Sequence, residues 1–268
     1  MACVYAFLPR GAEVCAQPVA TAAGNLLLWN GEVFGGEHEV GELRSDTLLV
    51  AALLDECRTP EDVARTLASV HGPYAFVWYH AASRSVFYGR DPFGRRSLVV
   101  GEPVPSESAN HLVIASIASR SAHPDMTWTE VPVGGVFVHM LGQAFAPQQV
   151  PWPADRCTLE RPAVDLEAGE LVSVRSDDLQ QAVDEFERLL LDAVERRVTC
   201  LHRDNCTQPP PADDSAIRPA NIAVLFSGGL DSTVVAGMVH LCAPAGEAID
   251  LLNVSFDATE KAPDRLAA

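Results

Sequence analysis

The sequence predicts an α+β domain followed by the start of an α/β domain, with a proline-rich stretch between them. Residues 74–80 and 85–90 form two closely spaced alternating runs, the pattern of antiparallel strands. Residues 221–256 instead read strand, glycine turn, helix, strand, which is the βαβ unit of a parallel sheet. Residues 151–178, rich in proline and mixed in charge, read as a linker, so the domains are expected at 1–150 and 179–268.

Leu26-Leu27-Leu28-Trp29 is an apolar strand that runs into Asn30-Gly31-Glu32-Val33-Phe34. By pattern alone Asn30-Gly31 is a type I′ hairpin turn, though the sequence continues differently. Asp46 opens an apolar helical run through Leu48, Leu49, Ala52 and Leu53, and Pro60 starts another through Val63, Leu67 and Val70. Strands are expected at Tyr74 to His80 and Ser85 to Arg90, and again near Leu112 to Ser116 and Gly135 to His139. The charged run Arg90-Asp91-Pro92-Phe93-Gly94-Arg95-Arg96 reads mainly as architecture, a strand ending in a proline and glycine turn whose loop is tied by Arg90 and Asp91.

In the second half, Leu179, Val183, Phe186, Leu189, Leu190, Val194 and Val198 follow three- and four-residue steps, giving an amphipathic helix from Asp178 with Arg196 and Arg197 near its end. A coiled-coil seam competes with that reading, but the repeat is short. Residues 203–219, with their triple proline, read as a solvated loop. Ile222 to Phe226 is a short apolar strand, Thr233 to Cys242 carries apolar residues at helical spacing, and Ile249 to Phe256 supplies the next strand.

The turn between them, Ser227-Gly228-Gly229-Leu230-Asp231-Ser232, carries chemistry. Gly228 and Gly229 permit positive φ and close approach of a ligand to the backbone, and the first amides of the following helix favour an anion. Ser227 and Ser232 add hydroxyls. Asp231, an acid where phosphate is expected, makes sense if Mg²⁺ bridges the two. With no lysine in the turn, it is not the loop that transfers a γ-phosphate. The bland alternative is a βα turn in which Asp231 or Ser232 caps the helix.

The whole chain carries a formal charge of −17, and Lys261 is its one lysine among 19 basic residues, which argues against nucleic acid as a partner. The 7 cysteines are scattered and odd in number, without a CxxC pair, and read as reduced thiols. No apolar run approaches membrane-spanning length and no secretory leader is evident, so a soluble cytoplasmic protein is the default expectation.

Two sets of motifs resemble known families. SGGLDS is similar to the pyrophosphate loop of ATP-dependent adenylating enzymes such as asparagine, GMP, NAD and argininosuccinate synthetases. WNGE, then SD before a helix, then GPYAFVWYH, then RDPFGRRSL resemble, in that order, the glutaminase domain of class II amidotransferases in the asparagine synthetase branch. The resemblance implies an N-terminal nucleophile-type αββα glutaminase-like sandwich followed by the beginning of a parallel-sheet pyrophosphate-loop domain. It implies that the Asn30 side-chain amide and the Gly31 N–H form an oxyanion hole, that Glu32 and Asp46 hold the glutamine α-amino group, and that Arg10 clamps its α-carboxylate. It places Leu225 and Val254 beside adenine, and Ser227, Gly228, Gly229, Asp231 and Ser232 around pyrophosphate, with Asp231 on Mg²⁺. The family reaction uses ATP to adenylate the aspartate β-carboxylate, and ammonia from glutamine then displaces AMP.

The family begins Met-Cys-Gly, and removal of methionine lets the cysteine α-amine act as base for its own thiol. Here the chain begins Met1-Ala2-Cys3-Val4, so Cys3 is expected to be an inert thiol. The family also continues well past the position of Ala268. The expectation is therefore a shortened form that completes neither half reaction; the competing expectations are a non-catalytic nucleotide-binding or interaction protein, and a partial product without a stable fold.

Overall fold

The computed structural model describes residues 15–37, 45–103, 112–118, 121, 123–154, 176–199 and 220–254. Cys3 and Arg10, most of the expected linker and the loop before the glycine turn lie outside these. The chain divides into two compact units, Met1–Pro162 and Ala163–Ala268.

In the first unit, β1 (Val19–Ala20), β2 (Leu26–Gly31), β5 (Tyr74–His80), β6 (Ser85–Arg90), β10 (Gly135–Met140) and β11 (Gln148–Pro151) form a 6-stranded antiparallel sheet in that spatial order. Register follows from the alternation. Tyr74, Phe76 and Trp78 of β5, Phe87 of β6 and Val136 of β10 face one side, where they meet Val50 and Leu54 of helix α1 (Asp46–Asp55) and Val63 and Leu67 of α2 (Pro60–Ala68). Ala75, Val77, Tyr88 and Phe137 face the other side, against Leu98, Val100, Ile114 and Val131. These belong to or flank a 3-stranded sheet of β8 (Val113–Ala115), β7 (Val99–Pro103) and β9 (Met126–Glu130), in that order. Slipping a strand by one residue would exchange the side chains of the two cores and misfit both. The described layers are thus helices, a large antiparallel sheet and a second small sheet.

The start of α2 is chemically specified. Thr59 caps α2, taking the Asp62 N–H at 3.1 Å while Asp62 returns the bond to the Thr59 N–H at 3.0 Å, and Pro60 follows at the first helical position. The Asp62 carboxyl is held below its ordinary range by the Thr59 hydroxyl, then by the backbone amides of Arg58 and Thr59.

Asn30-Gly31 does not form the hairpin turn that its pattern alone would give, in keeping with the way the sequence continues: both residues end strand β2 and pair with Ala75 and Tyr74, because a buried partner strand outcompetes a local turn. The chain then continues into β3 (Gly35–Gly36), which pairs with β4 (Val70–His71). The proposed linker start, Pro151, is the last residue of β11, and the long helix begins earlier than expected, as α3 (Ser176–Val198).

In the second unit, β12 (Ile222–Leu225) and β13 (Ile249–Leu252) pair in parallel, Ile222 opposite Ile249, around helix α4 (Leu230–Cys242). Ile222 and Val224 alternate into a small core with Val194 and Val198 of α3 and Val239 of α4. The strands and the helix fall where the sequence pattern puts them, within a few residues at each end.

Candidate functional site

The first site is built where β2 leaves the sheet. Beyond Gly31 the chain stays bound to its neighbour: Glu32 N–H donates to the Pro73 carbonyl at 2.9 Å and Phe34 N–H to that of His71 at 2.8 Å. Two glycines make this possible. A Cβ on Gly31 would lie 2.5 Å from the Tyr74 Cβ and 2.7 Å from the Pro73 oxygen, and one on Gly72 would fall inside the Glu32 carbonyl. The backbones are therefore in direct contact at the point where Asn30, Gly31 and Glu32 emerge.

Helix α1 closes the corner. Its first residue, Asp46, is buried, and its Oδ2 accepts the Val33 N–H at 3.0 Å. Glu32 is buried beside it, whereas the Asn30 side chain is exposed. Asn30, Gly31, Glu32 and Asp46 are thus gathered at one end of the sheet. An amide side chain and a backbone N–H offer donors, and two carboxylates offer acceptors, which is the complement of an amino acid carrying both a carbonyl and an ammonium group.

A second layer fixes this corner from below. Asp91 is fully buried, and its carboxylate accepts the N–H groups of Tyr74 (3.1 Å), Phe93 (3.0 Å) and Arg95 (3.0 Å) together with Arg95 Nε (3.0 Å). Arg95 then reaches the Gly72 carbonyl at 2.7 Å, the residue pressed against Glu32. Arg90 donates to the carbonyls of Arg96 (2.7 Å) and Gly94 (2.5 Å) and pairs with Glu130. The motif is architectural, as expected, but Arg90 and Asp91 do not pair with each other; Arg95 is the partner of Asp91. On the other edge, Gln17 bonds the Trp29 backbone twice, accepting its N–H at 2.7 Å and donating to its carbonyl at 2.9 Å. The Tyr74 ring stacks on Trp29 with centroids 4.9 Å apart.

Sequence reading missed Gly72, Arg95 and Gln17. The glycine inside His71-Gly72-Pro73 and the second charge in the Asp91 to Arg95 spacing were the available signals. Gln17 gave none, because its partner lies 12 residues away.

The described thiols that shift are not poised for nucleophilic work. Burial pushes the Cys57 thiol up, and burial followed by Glu195 raises that of Cys242, whereas an activated thiol requires the opposite.

The second site is the turn between β12 and α4. Gly228 takes a positive φ of 78°, but Gly229 does not; at φ −76° it is the helix N-cap, and being glycine it supplies no side chain to cap the helix amides. The alternative in which Asp231 or Ser232 caps the helix therefore fails. Ser232 and Thr233 hydroxyls each donate to the Gly229 carbonyl at 2.9 Å, and the Ser227 and Ser232 oxygens lie 3.3 Å apart. Asp231 sits exposed in the first helical turn, and Leu225 and Val254 are exposed nearby in sequence to the strand ends. Among the described residues no group of three or more His, Cys, Asp or Glu side chains is arranged to hold a metal. Nor is any described helix long and apolar enough to cross a membrane.

Residues 12–119 match the model of a glutamine amidotransferase domain. Asparagine synthetase domain-containing protein 1 of Bos taurus is 31% identical over 92% of this chain and 47% of its own length. The Homo sapiens protein of that name is 29% identical over 91% of this chain and 46% of its own. A yeast relative, asparagine synthetase domain-containing protein YML096W of Saccharomyces cerevisiae, is 27% identical over 86% of this chain and 39% of its own. The chain thus spans about half the length of the curated relatives it matches. Over nearly its whole length the chain is similar to asparagine synthetase domain-containing protein 1, and the glutamine amidotransferase match falls in its first unit.

Proposed function

We propose that the first unit binds glutamine at the corner formed by Asn30, Gly31, Glu32 and Asp46, as the glutaminase-like part of an asparagine synthetase-like protein. The single observation that carries this reading is the bond from Val33 N–H to Asp46 Oδ2, which brings a helix-borne carboxylate to the strand end bearing the amide donors. In this reading the Asn30 amide and the Gly31 N–H receive the glutamine side-chain carbonyl, and Glu32 and Asp46 receive its ammonium group. The helix layer and two stacked antiparallel sheets are compatible with part of a nucleophile-type αββα sandwich, and the amidotransferase match over residues 12–119 supports the substrate class.

The second unit, in the same reading, is the beginning of a pyrophosphate-loop domain. Its open turn has a positive-φ glycine, a helix start whose N-cap is a glycine, and a Cβ position at Gly229 whose nearest neighbour is the Ser227 oxygen at 3.5 Å. These features suit an anion approaching the backbone. A lone carboxylate, Asp231, suits Mg²⁺, which is commonly held by one or two acids and the phosphates themselves. The metal would neutralise pyrophosphate; the turn would position it, with Leu225 and Val254 available to the base. The whole protein's reaction would then be ATP-dependent amidation of a carboxylate such as that of aspartate, with glutamine as nitrogen donor.

Equilibrium dialysis of the 268-residue chain against labelled glutamine tests the first step. Saturable binding of glutamine in preference to glutamate is expected, since a carboxylate would meet no added donor and two nearby acids. Equal retention of both, or of neither, would contradict the reading.

A further inference from the structure

At the opposite end of the large sheet from Asn30 and Asp46 lies a cavity of about 370 Å³. The register fixes its place: β5 and β6 run from the Ala75–Arg90 pair at the glutamine corner to the His80–Ser85 pair at the cavity. Its floor is the helix-facing side of the sheet, with Trp78, Phe87 and Val138, and its roof is the turn between α1 and α2. The volume falls in the lower part of the range, roughly 300–1,000 Å³, that small-ligand sites occupy.

The charge of the lining is unusual for this chain. In a protein with a formal charge of −17, no Asp or Glu lines the cavity, while Arg58 and His80 do. The Arg58 guanidinium has no ion-pair partner among the described residues, in contrast to Arg65, Arg90, Arg95 and Arg196, which all pair. His80 is held by Ser83, Nδ1 to Oγ 2.8 Å, leaving its other ring nitrogen uncommitted. Of the acids near Arg58 in sequence, Asp55 accepts from Thr21 and Asn25, and Asp62 is turned to the capping box and to Arg65. An apolar interior beneath a rim that carries one guanidinium and one imidazole fits a flat apolar body with one negative group.

We propose that this cavity is a binding site for a small aromatic monocarboxylate, separate from the glutamine corner, with its ring in the apolar part lined by Pro60, Val138 and Met140 above the buried Trp78 and Phe87, and its carboxylate toward Arg58 and His80. Cys57 also lines the cavity, so its accessibility reports occupancy at that position.

The test uses the full chain with 2-naphthoate and, as neutral control, 2-naphthamide. Calorimetry measures affinity, and peptide mapping after alkylation measures labelling of Cys57 against Cys242 as internal control. Labelling is run in alkaline buffer because burial raises the Cys57 thiol. Naphthoate is expected to bind saturably at one site and to slow Cys57 alkylation without slowing Cys242. Arg58→Gln is expected to weaken naphthoate about three- to tenfold while leaving naphthamide unchanged. Ala146→Trp, at the exposed rim, is expected to block both ligands in a chain whose melting temperature is retained. The proposal is overturned by absence of saturable naphthoate binding, by binding that leaves Cys57 labelling unchanged, or by equal affinity for acid and amide that Arg58→Gln does not alter.

Discussion

Asp91 and Arg95 form an ion pair, Arg95 Nε to Asp91 Oδ1 3.0 Å, that carries the loop after β6 to the Gly72 carbonyl and so to the backbone of Glu32. Asp91 is fully buried and Arg95 partly exposed, so the pair is an anchor for the acid more than a source of net attraction.

Asp91→Ala would leave the N–H groups of Tyr74, Phe93 and Arg95 without their acceptor. At about 1–3 kcal/mol for each buried unsatisfied donor, a loss of roughly 3 kcal/mol or more is expected in the first unit. Urea unfolding followed by tryptophan fluorescence measures it; a change below about 1 kcal/mol would show that the loop is not held by this carboxylate.

Tyr88 stacks on Phe137 between the sheets, with centroids 5.7 Å apart, and burial followed by Glu102 pushes its phenol up to about 12 from 10.0. A raised folded value favours the neutral form in the folded state, so its contribution is full below pH 10.0 and is lost as pH rises toward 12. Melting temperatures should fall through that window, and more gently in Tyr88→Phe. Identical alkaline profiles for the two proteins would refute the assignment.

The Thr59 and Asp62 capping box has the opposite sign. The Asp62 carboxyl is lowered from 3.8, so its stabilising contribution is present above that value and is lost as pH falls through the lower folded one. Thr59→Ala is expected to cost about 1 kcal/mol near neutral pH, and the cost should shrink in acid. A pH-independent difference in urea midpoints between the two proteins would argue against a reciprocal cap.

At the glycine turn, Asp231 is outside the cap, so Asp231→Ala should leave the melting temperature unchanged while removing the Mg²⁺ dependence of pyrophosphate or ATP binding. Gly229→Val places a branched side chain against the backbone amides and should abolish binding altogether. Calorimetric titration with Mg·ATP decides. Wild-type affinity in both variants would mean that the turn is not the phosphate cradle.

What the sequence disclosed was what local periodicity encodes. Tyr74 to His80 and Ser85 to Arg90 alternate because each strand faces two cores, and their ends were readable to the residue. Asp46 and Pro60 announced their helices because an acid and a proline suit the first turn. Non-local contacts were not encoded that way. Asn30-Gly31 carries a hairpin pattern, yet its partners are Ala75 and Tyr74, and only the absence of space at Gly31 and Gly72 reveals why both are glycine. The candidate residues 30, 31, 32 and 46 were legible as motifs; the bond that unites them, Asp46 to Val33, was not, since its acceptor and donor are 13 residues apart.

Asp46→Asn keeps an oxygen that can accept the Val33 N–H but removes the charge that an ammonium group would meet. Titration of wild type and this variant with glutamine, beside thermal melts of each, therefore separates binding from folding. Saturable binding by wild type and at least a tenfold weaker response in a variant of unchanged melting temperature is expected, about 1.4 kcal/mol from loss of a charge-assisted contact. Equal glutamine affinity in the two proteins would contradict the assignment of this corner as the glutamine site.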